Sequence, residues 1–221
     1  MLTPKRHFSY SQYITFKGSP KWYFLKYFCD KKYEGGYEFG KKVSNSLEKE
    51  EGVEDTDIEL KMLNTFIKKY PKMNYEIECV FTGIPLYARF DGFDEKNLEL
   101  GEYKTGDLKY KWTQTKADKH IQITWYYLMV YMKFKKLIKK ATLHYIPVKR
   151  KKSVNGTILK EEIIFEELKD FETKRTLSDI AKLGVDITRV WKQIDRMGED
   201  LLVKGYTLIK EKGGYKKYYK Q

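Results

Sequence analysis

The sequence predicts an α/β fold, a mixed central β-sheet flanked by helices, and three observations carry that expectation. From Tyr75 onward, YEIECVFTGIPLYARFDGF has the alternating and β-branched character of strands. On either side, apolar residues recur at three- and four-residue intervals, as on amphipathic helices. No internal repeat and no long linker interrupts the 221 residues, so one domain, 1–221, is the economical reading. It divides into an N-terminal helical part (8–71), a central core (75–148) and a C-terminal hairpin plus helix (149–221).

The elements follow in order. Ser9 or Ser11 can cap a short helix, and Pro20 can open a second that carries Trp22, Phe24, Leu25 and Phe28. YEFGKKVSNSLEKEEG reads as a helix stopped near Gly52, with Val43 and Leu47 one turn apart. LKMLNTFIKKYP is a further helix ended by Pro71. Gly83 and Pro85 mark a turn between two strands, and FDEKN supplies the turn chemistry before a third strand, LELGEYKT. The strands around FDEKN should form an antiparallel hairpin. After a polar loop, HIQITWYYLMVYMKFKKLIKK reads as one long helix with a heavily apolar face. ATLHYIPV is a strand, GTILKEEIIFEEL pairs near it, and Thr176 or Ser178 starts a terminal helix before a basic, Tyr-rich tail.

Composition narrows the function classes. With 41% hydrophobic and 16% aromatic residues the chain can build a core, which argues against intrinsic disorder. Lys and Arg outnumber Asp and Glu by 44 to 31, a net charge of +13 that suits a polyanionic partner such as DNA. No apolar run reaches transmembrane length and no signal-peptide pattern opens the chain, so the expected location is the cytoplasm, the host's for a phage-encoded protein. Cys29 and Cys79 belong to no paired motif and read as reduced thiols. No Gly-rich phosphate loop supports an NTPase or a dinucleotide site. His7, His120 and His144 have no metal-ligand spacing, and His120 reads as a surface imidazole.

One stretch concentrates the chemistry. In LGEYKTG, Glu102 and Lys104 share a strand face, and hairpin pairing across FDEKN brings Asp91 close to both. Two carboxylates converging at a strand end suit a hard divalent cation, for which the main-chain carbonyl of Tyr103 can complete the shell. Lys104 beside them can orient a water or stabilise charge on a phosphate. Gln122 and Tyr126, four residues apart on one helix, can hold a phosphate, a base or the water network, beside the plainer reading of ordinary helix polarity with Tyr126 in the core.

The ordered set Asp91…Glu102-x-Lys104…Gln122-xxx-Tyr126 resembles the PD-(D/E)XK nuclease superfamily and, within it, the RecB-like exonuclease group. The resemblance runs from about Ser9 to Tyr126 and includes SYSQYITFKGSPKW, the F-G-x-x-V-x-x-x-L-E helix, the G-x-P-L-x-A-x-x-D-G strand, E-Y-K-T-G and Q-x-x-x-Y. It implies a restriction-endonuclease-like core and a Mg²⁺-dependent deoxyribonuclease, with Mn²⁺ as the alternative ion, working as an exonuclease in repair, recombination or mobile-element DNA processing. Asp91 and Glu102 would be metal ligands, Lys104 the catalytic lysine, and Gln122 with Tyr126 a catalytic and DNA-contacting motif. Relatives often place a metal-binding His on the first-motif helix where this chain has Ser44; Glu48, one turn later, is the candidate acidic substitute, beside its plainer reading as a solvated carboxylate. Iron–sulfur-bearing members use four cysteines and this chain has two, so no cluster is expected.

Lys109, Lys111 and Trp112, in the loop after the third strand, are candidate DNA contacts, with Trp112 alternatively packed over the site. ETKRT and the terminal tail mix cations with aromatics in a way that suits single-stranded nucleic acid, with a solvated Lys-rich tail as the equal alternative. A homo-oligomer or a repair partner protein fits such an enzyme. Two alternatives stand: a catalytically weakened nucleic-acid-binding module on the same fold, and a basic scaffold in which these residues form an ion-pair network.

Overall fold

Serine and proline punctuate the start of the chain. In the computed structural model, which describes residues 6–29, 42–43, 45–47, 58–152, 158–203, 206–210 and 216–220, a short strand β1 (Phe8–Ser9) leads into α1 (Tyr10–Gly18). Ser19 then caps α2 (Pro20–Tyr23), its hydroxyl accepting the Trp22 N–H at 3.1 Å, and Pro20 occupies the first turn, where no intrahelical donor is needed. A π-helical turn, Phe24–Phe28, continues from it. Residues 42–43 and 45–47 are helical, with Val43 and Leu47 both 1% exposed. Ser44, Glu48 and the expected stop near Gly52 lie outside the described residues. The next helix, α3 (Ile58–Phe66), ends well before Pro71.

Strands β2 (Lys72–Phe81) and β3 (Ile84–Asp94) form a hairpin across Thr82 and Gly83. Both turn residues have positive φ, 47° and 81°, as a two-residue hairpin turn matched to strand twist requires. Pro85 is therefore a strand residue opposite Val80 and not part of the turn. Strand β4 (Glu99–Asp107) returns antiparallel to β3, as FDEKN predicts. The polar loop that follows holds a short helix, α4 (Gln114–Asp118), before α5 (Ile121–Phe134). The latter stops earlier than its sequence pattern suggests, because Lys135 adopts a left-handed conformation (φ 55°) that ends the helix.

Beyond it, β5 (Lys140–Lys152) runs parallel to β4. Its other edge pairs with β6 (Ile158–Ile163) and with β7 (Lys169–Thr173), a strand the sequence pattern does not announce. The last helix, α6 (Leu177–Val203), begins with a reciprocal cap: Thr176 Oγ1 accepts from the Asp179 N–H at 3.2 Å, and Asp179 Oδ2 accepts from the Thr176 N–H at 2.8 Å. Near the C-terminus, β8 (Tyr206–Lys210) and β9 (Lys216–Lys220) pair antiparallel.

Among the described residues, seven strands make one mixed sheet in the order β1-β3-β4-β5-β6, with β2 also on β3 and β7 also on β5. Helices cover both faces, so the predicted α/β class is observed. On one face α5 lays Ile123, Tyr127 and Val130 into a core shared with Phe8, Phe90, Trp125, Trp191 and Ile194. On the other, Val43, Leu47, Leu60 and Leu63 pack over Ile146 and Ile163. No helix among the described residues is long and apolar enough to cross a membrane.

Candidate functional site

The site forms where two paired strands separate. The β3–β4 ladder has the rungs Asp94↔Glu99, Phe93↔Leu100 and Gly92↔Gly101. One rung further would join Asp91 to Glu102, but there β3 turns toward β1, pairing at Leu86 and Tyr87, while β4 continues beside β5. The two carboxylates thus stand at the mouth of a fork. The Tyr103 N–H bridges it, donating to Asp91 Oδ2 at 2.9 Å. In extended backbone the N–H and C=O of one residue point to the same side, so the Tyr103 carbonyl also faces the fork.

The β2–β3 ladder is interrupted behind the fork. Position 74, opposite Asp91, is the one skipped in the β2–β3 ladder, and Asn74 is left-handed there (φ 52°). Asn is among the few side chains that tolerate this conformation. The break in alternation lets Phe90 and Phe93 pack on each other (5.3 Å between rings) with Asp91 and Gly92 between them.

Along β4, Glu102 and Lys104 face α5 while Tyr103 stacks on His144 behind the sheet at 5.0 Å. Glu102 Oε1 pairs with Lys104 Nζ at 2.5 Å, and Lys104 Nζ also donates to Gln122 Oε1 at 2.9 Å. Gln122 Nε2 donates to the Tyr126 hydroxyl, which donates to the Arg89 carbonyl of β3 at 3.1 Å. The i, i+4 spacing on α5 thus makes a hydrogen-bonded chain from the Glu102–Lys104 pair back to the neighbouring strand. Lys104 retains 27% side-chain exposure, whereas Glu102 has 1%. Tyr126 is 3% exposed with its hydroxyl engaged, which makes it a holder of Gln122 within the protein.

The electrostatics follow from this enclosure. Burial, then the negative charge of Glu102, pushes the Asp91 carboxyl up to about 8, against the pull of Lys104 and the Tyr103 N–H. Burial alone would depress the Lys104 ammonium, but the charge and hydrogen bond of Glu102, with help from Asp91, raise it above the usual lysine range. Lys104 is therefore a fixed cation at neutral pH. Glu102 Oε2 is buried and accepts no hydrogen bond. An unpaired carboxylate oxygen held beside a second carboxyl group is a position that a cation, or the Asp91 proton, can satisfy. Asp91, Glu102 and the Tyr103 carbonyl offer only oxygen, which fits Mg²⁺ or Mn²⁺ with waters in the remaining positions, and not zinc. Among the described residues no cluster of three or more His, Cys, Asp and Glu side chains is gathered; the described share of such a shell is Asp91 and Glu102, and Glu48 lies outside the described residues.

The other residues singled out in the sequence are placed as follows. Glu48 lies outside the described residues. Trp112 is half-buried over Gly106, in a small cluster with Ala117, Leu143, Tyr145 and Phe171, so it packs as well as borders the site. Lys109 and Lys111 are exposed on the turn after β4, and Lys111 pairs with Glu167 at 2.8 Å. His120 is not a surface imidazole. It is half-buried edge-on to Trp112 (5.1 Å) and Tyr10 (6.3 Å), and burial followed by the charge of Lys104 lowers it to about 4, so it is neutral. Arg175 of ETKRT is 7% exposed and bonds inside the fold, to Thr124 Oγ1 at 2.8 Å and to the Ala117 and His120 carbonyls at 3.0 and 3.2 Å. It joins α4 to α5 and does not face a nucleic acid. Tyr10, which interacts electrostatically with Lys104 and Glu102, and Asn74 were not evident from sequence, since neither belongs to a spacing pattern.

Comparison with known proteins bears on the fold. No family model and no curated protein sequence matches the chain. Among solved structures, a "Putative exonuclease" from Eubacterium rectale superposes with a TM-score of 0.53 at 11% identity, over 88% of this chain and 82% of that one. A second, SSO0001, superposes with a TM-score of 0.32 at 14% identity, over 57% of this chain and 50% of that one, too distant to bear on the fold. The chain therefore shares the fold of the first of these structures.

Proposed function

We propose that this protein is a metal-dependent deoxyribonuclease of the PD-(D/E)XK type, hydrolysing phosphodiester bonds, with exonuclease action as the expected form. The observation that carries the reading is the fork: Asp91 and Glu102 each one residue beyond the last β3–β4 rung, with Lys104 held at 2.5 Å from Glu102 and 2.9 Å from Gln122. The ordered resemblance of these residues to RecB-like nucleases supports it, and so does a solved structure of similar fold that bears the name of an exonuclease.

Each residue then has a task. Asp91 and Glu102 hold Mg²⁺ or Mn²⁺, with the Tyr103 carbonyl as a third oxygen. The bound ion supplies Lewis-acid polarisation of the scissile phosphate and a more acidic water. Lys104 presents a permanent positive charge where negative charge grows on the phosphate. Gln122, anchored by Tyr126, aims that ammonium. Lys109 and Lys111 attract the backbone, and Trp112 borders the groove.

A time course with end-labelled linear, circular and single-stranded DNA, with and without Mg²⁺, tests the reading. Cation-dependent release of nucleotides from linear ends is expected, and intact DNA on every substrate in the presence of Mg²⁺ contradicts it. Ser44, at the position where relatives often carry a metal-binding His, favours one competing reading, a DNA-binding module with weakened chemistry. Calorimetry separates them: a nuclease shows divalent-cation heat that Asp91→Asn removes, and a pure binder shows none.

A further inference from the structure

Behind the fork, on the sheet face opposite Lys104, a second cluster of polar groups is enclosed. Tyr70, 6% exposed, lies flat across the last rung of the β3–β4 ladder. A Cβ on Gly92 would come within 2.5 Å of its ring, and one on Gly101 within 2.1 Å. These glycines are the residues next to Asp91 and Glu102, and only residues without side chains there let the ring sit so close to the backbone.

The ring is held in place from the far end. The Tyr70 hydroxyl lies 3.0 Å from His144 Nε2, and His144 Nδ1 lies 2.7 Å from Asp170 Oδ1. The hydrogen bond from His144 holds Asp170 below the usual carboxylate range, so Asp170 is an acceptor and Nδ1 carries a proton. The Tyr70 hydroxyl, which burial pushes up to about 12, keeps its proton and lies against His144 Nε2. His144 is 2% exposed and also stacks on Tyr103, whose N–H holds Asp91. Both backbone segments that carry the carboxylates thus rest on one hydrogen-bonded plate: Gly92 and Gly101 on Tyr70, Tyr103 on His144.

We infer that Tyr70 is a positioning residue for the metal-binding carboxylates, its ring setting the width of the fork between Asp91 and Glu102 while His144 and Asp170 fix the ring. The inference rests on the nuclease reading for its rate readout but not for its metal-binding one. No part of Tyr70 faces Lys104, so substrate does not touch it and it acts through the strands alone. Groups that orient metal ligands from behind typically change metal affinity or activity by 10- to 100-fold when removed.

The test uses the full chain and three proteins: the wild type, Tyr70→Phe and Tyr70→Ala. Mn²⁺ binding by calorimetry and the kcat and KM of DNA cleavage are read on folded protein. Tyr70→Phe keeps the ring over the glycines and is expected within about 2-fold of the wild type, with a lower Tm. Tyr70→Ala is expected to weaken Mn²⁺ binding and lower kcat by on the order of 10-fold or more, with KM for DNA nearly unchanged. A residue with a merely structural role would lower Tm and leave ion affinity and kcat of the folded fraction alone, and that result overturns the inference. If Tyr70→Ala does not fold, Tyr70→Leu is read in the same way, and failure of both to fold also overturns it. Wild-type protein that binds Mn²⁺ but cuts no DNA defeats the nuclease reading and leaves the affinity comparison to decide on Tyr70.

Discussion

A carboxylic acid enclosed beside a second carboxylate keeps its proton to higher pH than one in water, and Asp91 is in that position. Its folded-state value of about 8 lies above the ordinary 3.8. The folded, metal-free protein therefore binds one proton more than the unfolded chain between those values, and its stability falls as pH rises through that window. Asn at position 91 cannot ionise and escapes this fall. Asp91→Asn is expected to match the wild type near pH 4 and to exceed it at about pH 9 by on the order of 2–4 kcal/mol, measured by chemical denaturation without divalent cation. A cation entering the fork must displace that proton, so apparent Mg²⁺ affinity should climb as pH rises toward about 8 and then level off. Calorimetry across the range checks this, and a flat profile contradicts it. Asp91, Glu102, Lys104, Gln122 and Tyr126 were legible in the sequence because their spacing encodes strand and helix faces. Tyr70 and Asn74 were not, because a ring lying over two glycines and a left-handed residue opposite an acid depend on which strands pair.

At the scale of elements, the sequence misleads where a helix ends without a glycine. The apolar pattern of α5 continues into KKLIKK, yet Lys135 turns left-handed at a position where an L side chain is strained. Lys135→Gly should stabilise the protein by about 1 kcal/mol, seen as a rise in Tm, and a fall in Tm would contradict this account of the stop. Arg175 shows the opposite difficulty: a cation in a run of polar residues looks solvent-facing until the fold wraps it. Its guanidinium satisfies the carbonyls of Ala117 and His120 where α4 hands over to α5, two residues before Gln122. Arg175→Ala should cost about 2–4 kcal/mol of stability in denaturant titrations, far more than removal of an exposed lysine. Strand β7, with the sequence KDFET, escaped notice because it buries only Phe171 and Thr173 and has too few apolar residues to show a period.

For the whole molecule, the α/β class was legible because alternation and helical periodicity occupy separate stretches of the chain. The pairing of β5 with β4 on one side and with both β6 and β7 on the other is a long-range choice that no local pattern records. The net charge of +13 bears on association and not on fold. If the partner is DNA, binding releases condensed counterions, and affinity for a linear duplex should drop at least tenfold between about 50 and 200 mM salt. Affinity insensitive to salt would argue against a polyanionic partner.

The central claim is that Asp91, Glu102 and Lys104 act together on a phosphodiester, and Lys104→Ala tests it most directly. Its effect on rate is to be measured against wild-type protein at saturating Mg²⁺, with folding of both checked by thermal denaturation. Cleavage by the wild type that a chelator abolishes is expected, with a folded Lys104→Ala protein slower by at least on the order of 100-fold. Equal rates in the two proteins, or full activity in the presence of chelator, would contradict it.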